Sequence, residues 1–161
     1  MHAKPFLGLA AAALAWATWA AAAATVQVEF VKPESFTDAG RRNARVDREE
    51  NLGAIREHLV KQAAQRLPAD QSLAVSVTDV DLAGSFEPWQ RYSGEIRVVK
   101  DIYPPRIDLH FRLARADGSV VKEGDRSLRD PGFMMGATSY PGDNLKYEKK
   151  MLDQWMAKEF E

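Results

Sequence analysis

The chain has 161 residues, with 22 Lys and Arg against 23 Asp and Glu, and it contains no cysteine. This length fits one domain built around a single core. The near-zero net charge argues against a nucleic-acid-binding protein, which needs a clustered excess of Lys and Arg. Without cysteine there are no disulfides, thiol nucleophiles, iron–sulfur clusters or thiolate zinc sites.

The first segment, residues 1–24, differs in composition from the rest. It has twelve alanines and no acidic residue, and a positive start at His2 and Lys4 precedes an apolar run over residues 6–17. This order is typical of a secretory signal peptide, with cleavage before Thr25. An uncleaved membrane anchor is the alternative, because about 20 apolar residues can span a bilayer. An alanine-rich run inserts weakly, which favours the signal peptide.

The remaining residues, 25–161, are predicted to form a single α+β domain. Apolar and polar residues alternate over residues 26–30, which indicates a half-buried strand. Apolar residues at helical spacing then predict an amphipathic helix over residues 41–67. Thr37 or Asp38 is a possible cap near the start of this helix.

Further strands are predicted over residues 73–78, 96–98 and 107–113, and from residue 119 onward. Because these segments follow one another through short connections, we expect a mainly antiparallel sheet of four to five strands. Two amphipathic helices should pack on one face of that sheet. The segments 96–98 and 107–113 should pair as a hairpin.

The predicted hairpin has a definite register. Val98 should face Leu109 on the buried side, and Arg97 should then lie near His110 on the polar side. A slip of one residue would exchange the two faces.

The second helix is predicted from Asn144 or Leu145 to Phe160, with Asn144 as a plausible cap. It follows a long loop rich in Gly and Pro over residues 130–144. Five residues mark its inner side: Leu145, Glu148, Leu152, Trp155 and Met156.

Four stretches of the chain together resemble one protein family. They are VTDVDLAG at 77–84, EPW at 87–89, IRVVKDIYPPRI at 96–107, and residues 140–155, which end in YEKKMLDQW. With them, the chain resembles the exported bacterial family known as domain of unknown function 3016. The resemblance spans nearly the whole of residues 25–161 and implies a cell-envelope protein of a Gram-negative bacterium. The family has no established activity, so the resemblance assigns no catalytic residue.

Asp79 and Asp81 are candidates for acid–base or metal chemistry. They stand two residues apart near the end of a strand, so their side chains should point to the same face. Paired carboxylates can bind a hard cation or transfer protons, and His110 on another strand is a possible partner. The alternative is structural, since Asp readily accepts backbone hydrogen bonds where a chain leaves a sheet.

The segment over residues 86–92 is a candidate binding surface. It places Phe86, Trp89 and Tyr92 in a connection between strands, where binding residues often lie. Aromatic rings offer flat apolar area, with a hydrogen-bonding tip on Trp and Tyr, which suits a partner protein or a glycan. The alternative is that these rings cover one end of the sheet.

The sequence favours a non-enzymatic binding or interaction module of the cell envelope, either periplasmic or secreted. The expected partner is an envelope protein or polymer, with no nucleic acid, no cofactor and no metal, and with no membrane span once the signal is cleaved. The alternative is a hydrolase or metal-dependent enzyme that uses Asp79 and Asp81. A third possibility is an assembly subunit that pairs through an exposed strand edge.

Overall fold

A computed structural model describes residues 24–41, 44–87, 89, 96–136 and 139–160. Nearly all of the predicted signal peptide therefore lies outside the described residues. Among those that are described, no helix is both long and apolar enough to cross a membrane. The elements in chain order are β1 (Thr25–Phe30), a short 3-10 turn (Pro33–Ser35), α1 (Arg45–Arg66), β2 (Gln71–Asp81), β3 (Arg106–Arg115), β4 (Val120–Arg129) and α2 (Lys146–Glu159).

The four strands form one mixed sheet in the order β1-β2-β3-β4. Strand β1 runs parallel to β2, whereas the β2–β3 and β3–β4 pairs are antiparallel. The parallel pair arises because α1 connects β1 to β2, and a crossover of this kind returns the chain in its original direction. The α+β class and a sheet of four strands are confirmed, but the sheet is not purely antiparallel.

One face of the central strands is buried and the other is polar. Alternate residues of β2 from Leu73 to Val77, and of β3 from Ile107 to Leu113, are almost fully buried. They belong to one hydrophobic cluster together with buried residues of both helices. All five residues predicted on the inner side of the second helix are buried. The period of two therefore leaves the alternate positions of β2 and β3, which are mostly polar, on the opposite face.

The predicted hairpin between residues 96–98 and 107–113 is wrong. Leu109 pairs with Val77 of β2 on one side and with Arg126 of β4 on the other, so β3 has no free edge to offer. Val98 instead forms an isolated bridge with Ser85, through backbone hydrogen bonds of 2.9 and 2.8 Å. The strand predicted from residue 119 is confirmed as β4.

Arg97 does not approach His110 in the way that the hairpin predicted. Its guanidinium donates to the carboxylate of Asp38 at 2.7 Å and to the carbonyl oxygen of Gly84 at 3.1 Å. Arg97 therefore ties two connecting loops together at one end of the sheet.

The predicted helix caps are also wrong. Helix α1 begins at Arg45, and neither Thr37 nor Asp38 caps it. Thr37 instead binds the carboxylate of Asp79 through both its backbone N–H and its hydroxyl, each at 2.7 Å. Helix α2 begins at Lys146, and the carboxylate that accepts the N–H of Leu145, at 2.8 Å, is that of Asp143 and not the side chain of Asn144.

Candidate functional site

A recess of about 820 Å³ opens at the end of the sheet where β1 and β2 finish and β3 begins. This volume lies within the range of ligand pockets, about 300–1,000 Å³. Its walls come from the loop that follows β1, from the chain just after β2, and from the segment that leads into β3. The walls include Asp81, Phe86, Arg106 and Arg129, together with Arg41 from the loop before α1 and Arg48 from the start of that helix.

Backbone hydrogen bonds extend the sheet into the walls of the recess. The N–H of Asp38 donates to the carbonyl of Val80, and the N–H of Leu82 donates to the carbonyl of Asp38, both at 2.9 Å. Gly84 then turns the chain with a φ of +85°, a left-handed value that favours glycine. A Cβ at this position would lie 2.7 Å from the carbonyl oxygen of Val98, so the close approach also requires glycine.

Asp79 and Asp81 occupy the same, polar face of β2, as their spacing predicted. In the register with β3, Asp79 lies opposite Asp108 and Asp81 opposite Arg106. The two carboxylates have different surroundings.

The carboxylate of Asp79 is fully occupied by groups of the chain itself. One oxygen accepts the N–H groups of Thr37 at 2.7 Å and of Val80 at 2.9 Å. The other accepts the Thr37 hydroxyl at 2.7 Å and the guanidinium of Arg106 at 2.6 Å. An acceptor with this many partners fixes the loop after β1 against the end of the sheet, which matches the structural alternative for Asp79.

Asp81 lines the recess, and its carboxylate accepts no hydrogen bond from any described residue. Burial raises the pKa of Asp81 above its usual value, and the nearby charge of Asp38 raises it further, while Arg106 acts in the opposite direction. An unpaired, partly desolvated carboxylate is a free acceptor for a ligand and a possible proton-transfer group.

The arginines of the recess divide into paired and unpaired side chains. Arg106 binds the carboxylates of Asp79 and Asp108 and also donates to Thr37. Arg41 forms an ion pair with Asp47. The side chains of Arg48 and Arg129 form no hydrogen bond or ion pair with any residue that the structure describes.

His110 lies on the polar face of β3, four residues along the strand from Arg106 and outside the walls of the recess. Its Nδ1 is 2.9 Å from a carboxylate oxygen of Asp125, and its Nε2 is 3.2 Å from one of Glu123. The hydrogen bond to Asp125 raises the pKa of His110, and Glu123 adds to the effect. Arg106 is the residue of β3 that lies opposite Asp81. At about 3.3 Å per residue, His110 is about 13 Å along the strand from Arg106.

No group of three or more His, Cys, Asp or Glu side chains in the described part of the chain is arranged to hold a metal ion.

The three aromatic candidates have different positions. Phe86 lines the recess, half-buried, with the guanidinium of Arg97 stacked 4.5 Å from its ring centre. Trp89 is exposed, with 71% of its surface accessible. Tyr92 lies outside the described residues.

Three polar residues of this region were not singled out as site residues by the sequence. Arg48 lies among residues of both charge signs near the start of the first predicted helix, and Arg129 lies near the end of the strand predicted from residue 119. Glu148, placed on the inner side of α2, accepts the N–H of Ala83 at 2.7 Å next to the recess wall. Burial raises the pKa of Glu148, and its second carboxylate oxygen has no hydrogen-bond partner among the described residues.

The comparisons with known proteins agree with the resemblance seen in the sequence. The model of a family described as a protein of unknown function (DUF3016) matches residues 24–158, which include all the elements that form the recess. No curated protein and no solved structure matches the chain. Because the family model covers most of its length, the chain belongs to the DUF3016 family of proteins of unknown function.

Proposed function

We propose that this protein is a non-enzymatic binding module of the bacterial cell envelope, and that its ligand lies in the recess at the end of the sheet. The supporting observation is a recess of ligand-pocket volume that contains the uncompensated side chains of Arg48, Arg129 and Asp81. Arg48 and Asp81 are half-buried and Arg129 is exposed, so all three side chains are available to a polar ligand in the recess.

The aromatic connection fits the same proposal. Phe86 contributes to the wall of the recess, and Trp89 is exposed three residues further along the chain. An exposed indole offers flat contact area to a ligand that extends beyond the recess. We include both residues, together with Tyr92, in the proposed binding surface.

The enzymatic alternative rests on Asp81, whose raised pKa suits a proton donor. The other two residues of that hypothesis give it less support. The oxygens of Asp79 are occupied by Thr37, Val80 and Arg106, and His110 is hydrogen-bonded to Asp125 and Glu123 away from the recess. For this reason we favour binding over catalysis.

The proposal is tested by titrating the isotope-labelled, purified chain with envelope extract separated into low-molecular-weight, saccharide and protein pools. We expect one pool to shift the backbone amide resonances of Thr37, Ser85 and Arg106. Ser85→Trp, which places a bulky ring in the recess wall, should abolish the shifts. The matched variant Ser119→Trp, in the exposed turn at the opposite end of the sheet, should leave them unchanged.

Shifts confined to other surfaces, or shifts that Ser85→Trp leaves intact, would contradict the proposal. Chemical conversion of the bound molecule that Asp81→Asn abolishes would establish the enzymatic alternative in its place. Loss of binding in Trp89→Ala would extend the surface beyond the recess.

A further inference from the structure

The end of the β3–β4 pair carries two like charges directly opposite each other. Arg106 of β3 faces Arg129 of β4 in the strand register. Like charges in this arrangement destabilise an antiparallel pair. The charge of Arg106 is balanced by Asp79 and Asp108, at 2.6 and 3.0 Å. The charge of Arg129 has no partner among the described residues, so a bound anion would remove an unfavourable interaction.

Arg48 adds a second unbalanced cation to the same recess. It lies in the first turns of α1, where the positive end of the helix dipole disfavours a cation. Its side chain is half-buried and forms no ion pair with any residue that the structure describes. Guanidinium groups bind carboxylate and phosphate through paired N–H donors, which is the chemistry left open here.

Asp81 gives the recess a group of the opposite charge, a carboxylate that accepts hydrogen bonds. It faces Arg106 across the β2–β3 pair, but the Arg106 nitrogens are directed to Asp79, Asp108 and Thr37. Its carboxylate therefore remains a free acceptor. It would repel a ligand that is negative throughout, and it would bind a hydroxyl or another donor beside the anionic group.

The loop backbone that lines the recess disfavours an extended peptide as the ligand there. A peptide that binds by strand addition needs an unpaired backbone edge. In the walls, Asp38 is already paired with Asp81, and Ser85 with Val98. Side-chain donors and acceptors remain, beside the half-buried ring of Phe86.

Building on the proposed function, we infer that the recess binds an acidic saccharide, a sugar unit that carries a carboxylate or phosphate group beside free hydroxyls. Arg48 and Arg129 bind the anionic group, and Asp81 accepts a hydroxyl. A volume of about 820 Å³ accommodates such a unit.

The test uses galacturonate, galactose 6-phosphate and galactose as matched probes, titrated into the purified chain by calorimetry and by amide-shift mapping. The two acidic sugars distinguish carboxylate from phosphate, and galactose shows what the hydroxyls contribute alone. We expect galactose to bind at least about tenfold more weakly than the better acidic sugar, the ratio for a loss of about 1.4 kcal/mol.

Arg129→Gln and Arg48→Gln should each lower the affinity for the acidic sugars by about tenfold, which again corresponds to about 1.4 kcal/mol. The matched control is Arg115→Gln, which removes the same charge from the exposed opposite end of β3 and should leave affinity unchanged. Asp81→Ala removes the hydroxyl acceptor and the negative charge together. It should therefore lower the affinity for galacturonate relative to that for acetate, which offers no hydroxyl and gains only from the lost repulsion.

Several results would overturn the inference. They are an affinity for galactose equal to that for the better acidic sugar, equal effects of Arg129→Gln and Arg115→Gln, and tighter binding of an acidic peptide than of either acidic sugar. In these cases the recess can still be a binding site, with a different ligand. If neither the probes nor any envelope pool shifts the recess resonances, both the inference and the proposed function fail.

Discussion

Glu159, the last residue of α2, joins that helix to strand β4, and its removal should weaken the fold measurably. Arg126 donates to both of its carboxylate oxygens, at 2.7 and 2.8 Å, and Lys122 lies 2.8 Å from one of them. The hydrogen bond from Arg126 is the main cause that lowers the pKa of Glu159 to about 2, against a partial desolvation that acts in the opposite direction. We predict that Glu159→Gln destabilises the protein at neutral pH.

The pKa and the exposure of the partners bracket the size of this effect. One pKa unit corresponds to about 1.4 kcal/mol, so a fall from 4.5 to about 2 corresponds to at most about 3.5 kcal/mol. The Arg126 and Lys122 side chains are 36% and 45% exposed, so solvent screens both pairs. Exposed pairs contribute only about 0.2–1 kcal/mol each, and the bidentate geometry of Arg126 adds to this. We therefore expect a loss of about 1–2 kcal/mol.

The contribution of Glu159 to folding stability should depend on pH in a definite direction. The folded-state pKa of Glu159 is below its unfolded value, so the stabilisation is present above about pH 4.5 and is lost as pH falls toward 2. The free-energy difference between the native protein and Glu159→Gln should shrink over that interval.

Urea denaturation at pH 7 and at several lower values measures both effects. The matched control is Glu49→Gln, which removes an ion pair with Arg45 whose side chains are 59% and 74% exposed. This control should change the free energy of unfolding by less than about 0.5 kcal/mol. Equal stability of the Glu159→Gln and Glu49→Gln proteins at pH 7 would refute the reasoning, and so would a difference that does not diminish in acid.

Two further predictions concern the recess. Burial raises the folded-state pKa of Glu148, so this residue favours folding at low pH and opposes it as pH rises through that pKa. In urea denaturation at several pH values, Glu148→Gln should therefore become more stable relative to the native protein as pH rises. Parallel dependences of the two unfolding free energies on pH would contradict this. Gly84→Ala should lower the free energy of unfolding by more than about 2 kcal/mol, because the left-handed φ and the carbonyl of Val98 both oppose a Cβ. Gly118→Ala, which has a similar φ in open space, should lower it by about 1 kcal/mol. Equal losses would show that the close approach at Gly84 is unimportant.

Local patterns in the sequence predicted what depends on near neighbours. Alternation identified β1 and β2, and helical spacing placed Glu148 on the inner side of α2. Helix α1 begins at Arg45 and not at residue 41, and its two candidate caps are engaged in contacts that are distant in sequence. Thr37, a candidate cap, binds Asp79, which lies 42 residues away.

The hairpin failed for a related reason. Residues 96–98 have the apolar alternation of a strand, yet β3 already has neighbours on both sides. Which segment occupies the edge of a strand depends on all the competing pairings, and alternation reports only which face of a segment is buried. The predicted partner Leu109 therefore pairs with Val77 and Arg126, and Val98 instead bridges Ser85, which lines the recess.

The candidate site was only partly predictable because it depends on which charges remain unpaired. The two-residue spacing placed Asp79 and Asp81 on one face, but nothing local distinguishes them. Asp79 is occupied because Thr37 and Arg106 reach it, whereas Asp81 has no such donor among the described residues.

The motif residues that carry the family resemblance have structural roles at the recess. Arg97 joins Asp38 to the carbonyl of Gly84, and the buried carboxylate of Glu87 binds the ammonium of Lys100 at 2.5 Å and the hydroxyl of Tyr103 at 3.2 Å. Changing any of these residues would disturb the wall, so a loss of binding there would not separate recognition from folding.

The groups left over by this architecture are Arg48, Arg129 and Asp81, and two of the three lie outside the motif stretches. Each is half-buried or exposed, and none of the three side chains forms a hydrogen bond or ion pair with a described residue, so substitution breaks no such internal interaction. Effects of these substitutions on binding can therefore be read as recognition. Because the motif side chains are engaged in holding the fold together, ligand recognition is best tested at the charged side chains that form no internal hydrogen bond or ion pair.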